Sequence, residues 1–229
     1  MYIQILYEDN HLIAVYKPAG VLVQKGEGPE HDDDTLYWQV KIFIKDRDKK
    51  PGNVFLGVLH RLDRPVAGIV LFAKTSKGAA RLSEQFRERT IKKTYHAVVV
   101  GEPELREATL KNLIQKDMVS LRAIVGESAS GLELGDEAVL RYEVVRSNGR
   151  YSLLKIELET GRFHQIRAQL ASIGHPIVGD IKYGSKEKLK NGQIALASTE
   201  LKFETATTGE LKELKINWPE EWESLIKTS

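Results

Sequence analysis

Apolar residues fall into two rhythms along the chain, an alternation of period two that predicts strands and a three-to-four spacing that predicts helices. Ile3 to Tyr7 and Leu12 to Tyr16 read as short strands parted by Asp9-Asn10, and Lys17-Pro18-Ala19-Gly20 ends the second because proline and glycine interrupt a ladder. The acidic connection Glu30-His31-Asp32-Asp33-Asp34 leads to a helix from Thr35 to about Lys45, with Asp34 placed to cap it and Leu36, Val40, Phe43 and Ile44 on its apolar face. Val54 to Leu59 resumes extended character and runs into His60-Arg61-Leu62-Asp63-Arg64-Pro65. A residue before proline is pushed away from helix, so this polar string reads as a loop. Gly68 then opens Ile69 to Ala73, an unbroken apolar run suited to a buried central strand. Ser76 can cap the next helix, which reaches about Arg89 with Ala79, Leu82 and Phe86 inward.

The second half of the chain is richer in alternation. Ile91 to Val100 places Tyr95, Ala97 and Val99 on one strand face and Thr94, His96 and Val98 on the other. Segments 108 to 115, 119 to 125, 138 to 146 and 151 to 158 read as further strands, punctuated by Gly126, Gly131, Gly135 and the hairpin signal Asn148-Gly149. A helix from near Arg162 to a glycine cap at Gly174 buries Ile166, Leu170 and Ile173, and strands at 193 to 203 and 210 to 217 close the chain. Without internal repeats or an evident linker, the pattern predicts one α+β domain over residues 1 to 229: a large, mostly antiparallel but mixed sheet with flanking helices.

Composition narrows the chemistry. The 229 residues contain no cysteine, which removes disulfides, thiolate metal sites and a cysteine nucleophile. There is neither a secretory start at MYIQILYEDN nor an apolar run of about 20 residues, so the expectation is a cytoplasmic protein off the membrane. The formal charge of +2 hides an uneven distribution. Residues 61 to 95 carry nine Lys/Arg against three acids, and residues 161 to 190 six against two, leaving a net −8 for the rest. Two basic blocks can form one phosphate-facing surface if folding brings them together, or can be the solvated faces of two helices.

Two strings could carry a reaction. In His60-Arg61-Leu62-Asp63-Arg64 a carboxylate between two arginines is favoured as the anion, and on a loop it stays accessible, as a carboxylate nucleophile requires. The same string also suits a salt-bridged turn. In Gly161-Arg162-Phe163-His164-Gln165-Ile166-Arg167, His164 and Arg167 are three apart and share a helix face, from which Arg167 can reach another element and pair with a carboxylate.

Together with Lys92-Lys93-Thr94-Tyr95-His96-Ala97-Val98-Val99 and the opening Asp9-Asn10-His11-Leu12-Ile13-Ala14-Val15-Tyr16-Lys17-Pro18-Ala19-Gly20, these strings resemble, in order, the successive motifs of the RluA-type RNA pseudouridine synthases. The resemblance runs from residue 5 to about 203 and implies that family's catalytic fold, without an S4-like RNA-binding domain ahead of it. It implies that Asp63 attacks the target uridine, that the N1 to C1′ bond breaks, the uracil turns while held, and a C5 to C1′ bond forms. By the same resemblance Tyr95 stacks on the base and assists loss of the C5 proton, Arg167 ion-pairs with the aspartate, and Arg61 helps displace the base from its stack. His60, Arg64, Lys92, Lys93, Arg162 and His164 complete the expected RNA-contacting set. The reaction exchanges bonds within one nucleotide, so no cofactor and no metal are implied, and the expected partner is a stem-loop of rRNA or tRNA met by a monomer.

The sequence departs from the commonest pattern at Val66-Ala67-Gly68, where many members have Thr-Ser-Gly, and at Leu196-Ala197-Ser198, where Leu-His-Ala is frequent. The changes remove two hydroxyls and one imidazole. Two other readings stand beside the resemblance: a metal-dependent hydrolase using His60, Asp63, His164, His175 and Asp180, and an RNA-binding protein or chaperone with the same fold but no catalysis.

Overall fold

The structure is a computed structural model in which residues 3–25, 34–126 and 135–227 are described. The acidic connection at 30 to 33 and the turn at Gly131 lie outside these residues. Among the described residues eleven strands and four α-helices follow one another as β1 (Ile5–Glu8), β2 (Leu12–Lys17), α1 (Leu36–Arg47), β3 (Gly57–Val58), β4 (Ala67–Ala73), α2 (Ser76–Arg87), β5 (Lys92–Val100), β6 (Glu107–Asp117), β7 (Arg122–Gly126), β8 (Asp136–Ser147), β9 (Tyr151–Leu158), α3 (Gln165–Ser172), β10 (Leu196–Glu204), β11 (Leu211–Lys215) and α4 (Glu223–Ile226). The strands are hydrogen-bonded in the order β1-β2-β4-β10-β5-β9-β8-β6-β7, with β11 on β10 and β3 on β4. This is the expected α+β class.

The chain divides into two compact units, residues 1 to 91 with 200 to 216, and residues 92 to 199 with 217 to 229. In the first, β2 pairs antiparallel with β4 from Leu12 opposite Ala73 to Lys17 opposite Gly68. Every residue of β4 is buried, as its continuous apolar run predicts. Its core joins Leu12, Ala14, Ile69, Leu71, Leu82, Leu201 and Phe203. In α1, Leu36, Val40 and Ile44 are buried as their spacing requires, but the cap is Thr35, whose hydroxyl accepts from the Trp38 amide, rather than Asp34. Thr75 likewise replaces Ser76 as the cap of α2, accepting from the Gly78 amide. In both cases the threonine takes the extended backbone that a cap needs while the residue after it already lies in the helix.

In the second unit β5 pairs with β9, β9 with β8, β8 with β6 and β6 with β7, all antiparallel. The hairpin at 148 to 151 closes with Asn148 before the turn: its Oδ1 accepts from the Arg150 and Tyr151 amides, and Gly149 takes the positive φ of 80°. The largest departure from the sequence reading is α3. It begins at Gln165, three residues after Arg162, because His164 adopts a left-handed φ of 52° that breaks the helical run. At the other end Ile173 is 37 % exposed rather than part of the buried stripe, while Gly174 has the expected left-handed φ of 85°.

Candidate active site

In the first unit the string His60 to Val66 forms a loop entering β4 at Ala67, with its apolar members turned in. Leu62, Val66 and Ala67 are buried, Asp63 is part-buried, and Arg61 and Arg64 are exposed. The two positions that lack hydroxyls thus contribute packing. His60 turns toward its own fold, its Nε2 accepting from the Leu71 amide at 3.0 Å and its ring 5.3 Å from that of Phe86. Main-chain bonds fix the loop. The Val66 amide donates to the Asp63 carbonyl at 3.1 Å, the Gly20 amide to the Arg64 carbonyl at 2.7 Å, and Arg64 Nε to the Gly20 carbonyl at 2.9 Å.

Lys17 stands behind this loop and was not given a role by the sequence. It is fully buried, and its Nζ donates to the carbonyls of Val21, Pro18 and Arg64 at 2.7, 3.1 and 3.2 Å. Burial pushes its ammonium down to about 7, and the negative charge of Asp63 works in the opposite direction. The strand rhythm of β2 carried the signal: a lysine at the last strand position before Pro-x-Gly, with β4 beside it, has nowhere to go but inward.

In the second unit Tyr95 lies within β5, opposite Ile156 of β9 and 7 % exposed. At the start of that strand Lys92 is exposed and the Lys93 ammonium lies over Gly161, 3.4 Å from where a side-chain carbon would begin. Residues 160 to 167 are fastened by their side chains. Gln165 Oε1 accepts from the Thr160 hydroxyl at 2.8 Å and the Arg162 amide at 3.0 Å. Arg162 donates from Nε to the Glu137 carbonyl at 3.0 Å and lies 3.4 Å from Asp136.

Arg167 does pair with a carboxylate on another element. Its Nε and Nη2 meet Oδ2 and Oδ1 of Asp180 at 2.6 and 2.9 Å, with both side chains buried. Tyr183 was missed altogether by the sequence reading: its ring lies under the Arg167 guanidinium, 5.0 Å from centroid to Cζ, and its hydroxyl is 2.9 Å from His164 Nδ1. His164 and Arg167 therefore converge through Tyr183, although only Arg167 is helical. The traceable signal was Asp180, one of two acids in a basic block, set between Gly179 and Gly184. Among the described residues no three His, Asp or Glu side chains are grouped to hold an ion. His175 Nδ1 lies 2.9 Å from the Val100 carbonyl, and Asp180 is committed to Arg167.

Residues 11 to 172 match the family model described as RNA pseudouridylate synthase. The chain is 34 % identical over 229 residues to the RNA pseudouridine synthase YhcT of Bacillus subtilis (strain 168), covering 99 % of this chain and 72 % of that one. It is 33 % identical to tRNA pseudouridine synthase C of Vibrio parahaemolyticus, covering 98 % and 94 %. Among solved structures, human RNA pseudouridylate synthase domain containing 4 shares the fold with a TM-score of 0.76 at 22 % identity, covering 96 % of this chain and 90 % of that one.

Proposed function

The chain belongs to the RNA pseudouridylate synthase family, and we propose that its isomerisation of uridine in RNA runs through Asp63 as the nucleophile, with Tyr95 and Arg167 as the other two groups acting on the target nucleotide. In the reaction the N1 to C1′ bond is exchanged for a C5 to C1′ bond, the proton at C5 is lost and N1 gains one, so atoms balance without a cofactor. The observation that carries the assignment is the loop around Asp63: its main chain is pinned at Asp63 and Arg64 while the carboxylate stays part-buried. A nucleophile needs that combination, since a fixed loop lowers the cost of reaching the reacting geometry.

The substrate of this reading is a structured stem-loop of tRNA or rRNA. A uridine stacked in RNA hides its glycosidic bond, and extruding it costs roughly a few kcal/mol, least in loops. Arg61, exposed beside Asp63, is the cation available to fill the vacated stack. Lys92 and Lys93 at the start of β5, with Arg64, Arg162, His164 and His60, supply the remaining contacts in the same reading, and residues 1 to 229 act as one catalytic domain. The experiment is to map pseudouridines in cellular tRNA and rRNA with and without the gene, restoring it as wild type or Asp63→Ala. Wild type alone should restore the missing positions, and restoration by Asp63→Ala would end the mechanism.

A further inference from the structure

Arg167 occupies an expensive position. It lies in the first turn of α3, the end of a helix at which unpaired N–H groups leave a partial positive charge that disfavours a cation. Burial adds the cost of stripping a guanidinium of water, several kcal/mol per ion. The Asp180 carboxylate answers both charges at once, with Arg167 6 % and Asp180 1 % exposed at the side chain. A buried ion pair adds little net stability over an apolar pair of the same volume, so stability alone does not account for its presence.

The surroundings point to geometry instead. Two bonds along one edge of a planar fork, with a ring across its face, leave the guanidinium little freedom to slide or turn. The ring is itself held, because the Tyr183 hydroxyl accepts from the Ala123 amide at 2.7 Å and meets His164 Nδ1. Asp180 and Tyr183 come from one tight turn, in which the Asp180 carbonyl accepts from the Tyr183 and Ser185 amides at 3.0 and 3.1 Å. Gly179 and Gly184 flank it with φ of 89° and 99°, and a Cβ on Gly179 would stand 2.6 Å from the Gln193 carbonyl oxygen. The chain thus accepts conformations and close approaches open only to glycine in order to set an acid and a ring against one arginine.

We propose that Asp180 is a positioning residue of the isomerisation: its carboxylate, backed by the Tyr183 ring, holds the Arg167 guanidinium in the orientation in which Arg167 serves the reaction. This rests on the assignment of Arg167 to the reacting group made above. Asp180 does not touch the uridine and acts only through Arg167.

The test uses full-length protein and total RNA, from cells lacking the gene, labelled with tritium at uridine C5. Tritium release gives kcat and KM for wild type, Asp180→Asn, Arg167→Ala and the double variant, with melting curves alongside. Asp180→Asn should lower kcat about 10- to 100-fold with KM within about threefold, the scale of a misplaced group. The double variant should be no slower than Arg167→Ala alone, a non-additivity that a purely structural acid does not produce. Wild-type kcat in Asp180→Asn, or losses that multiply in the double variant, overturns the proposal and leaves the assignment of Arg167 standing. Wild-type kcat in Arg167→Ala overturns that assignment itself. Should Asp180→Asn fail to fold, Tyr183→Leu takes its place: a kcat loss absent from the Arg167→Ala background supports the proposal, and an unchanged kcat overturns it.

Discussion

In the loop at 60 to 66 of the first unit the main chain is fastened at Asp63 and Arg64, and the charged side chains lie at or near the surface. In residues 160 to 185 of the second unit the side chains themselves are fastened: Gln165 to Thr160, Arg162 to Glu137, Arg167 to Asp180, His164 to Tyr183. The difference matches the roles proposed for the two regions. A nucleophile must stay within reach of its target, and a fastened backbone places the carboxylate without covering it. A group that stabilises charge loses nothing by being tied on its far edge, and gains because no reorganisation is needed when charge develops.

Two substitutions separate the regions most sharply. Asp63→Asn is nearly isosteric, removes the proposed nucleophile and leaves the main-chain bonds at Asp63 and Arg64 in place. We expect a loss of at least about a thousandfold in kcat, some 4 kcal/mol of barrier, with the melting temperature moved by under about 2 °C. A large drop in stability would mean that the carboxylate is part of the fastening. Gly179→Ala should behave in reverse. The positive φ and the 2.6 Å approach to the Gln193 carbonyl force the backbone to shift, for which about 2–4 kcal/mol of stability is the expected loss in a denaturant titration. Wild-type stability there would show the turn to be looser than its bonds imply.

The same contrast explains what could be read in advance. Strands β2, β4, β5 and β9 were visible because their runs are largely apolar and almost wholly buried, the helices α1 and α2 because each buries one stripe, and the Asp63 loop because its polar string and Pro65 stand out between apolar runs. The start of α3 was not visible: nothing in Arg162-Phe163-His164 forbids helix, and the left-handed His164 meets a partner, Tyr183, 19 positions later. That Asp180 would meet Arg167 was hidden for the same reason. Spacing shows that an arginine can reach a carboxylate, but which one depends on a turn that Gly179 and Gly184 make possible. Lys17 was legible as a member of a motif, and the strand rhythm of β2 turns it inward, but its three acceptors were not legible, since they are carbonyls, which every residue has.

Lys17 offers the next test, because it fastens the first region with a buried side-chain nitrogen rather than with amides. Lys17→Met keeps most of the volume but leaves the carbonyls of Pro18, Val21 and Arg64 without this donor, a loss of about 1–3 kcal/mol. The pH dependence carries a distinct signature. The unfolded chain keeps a lysine protonated to its ordinary value of 10.5, whereas the folded protein releases this one near 7. Between those values the unfolded state binds more protons, so stability should rise with pH by up to about 1.4 kcal/mol per unit. That contribution is complete above 10.5 and lost as pH falls through about 7. Chemical denaturation from pH 6 to 10 should show the slope in wild type and a shallower one in Lys17→Met; parallel curves would mean that the lysine keeps its proton throughout.

The smallest effect expected is also the one that divides the loop within itself. Arg61 and Arg64 are both exposed and one residue either side of Leu62-Asp63, yet Arg64 is tied through Nε to the Gly20 carbonyl and through its own carbonyl to Gly20 and Lys17. Arg64→Ala should therefore cost about 0.5–1.5 kcal/mol of stability, the worth of one hydrogen bond. Arg61→Ala should leave stability alone and lower kcat/KM about tenfold on a structured stem-loop, where a stacked uridine must be displaced. On a short unstructured oligonucleotide the same variant should lose far less, since there is little stacking to overcome. Equal losses on both RNAs would assign Arg61 to phosphate binding instead, and the salt dependence of KM would then flatten by about 0.7–0.9 in the log–log slope.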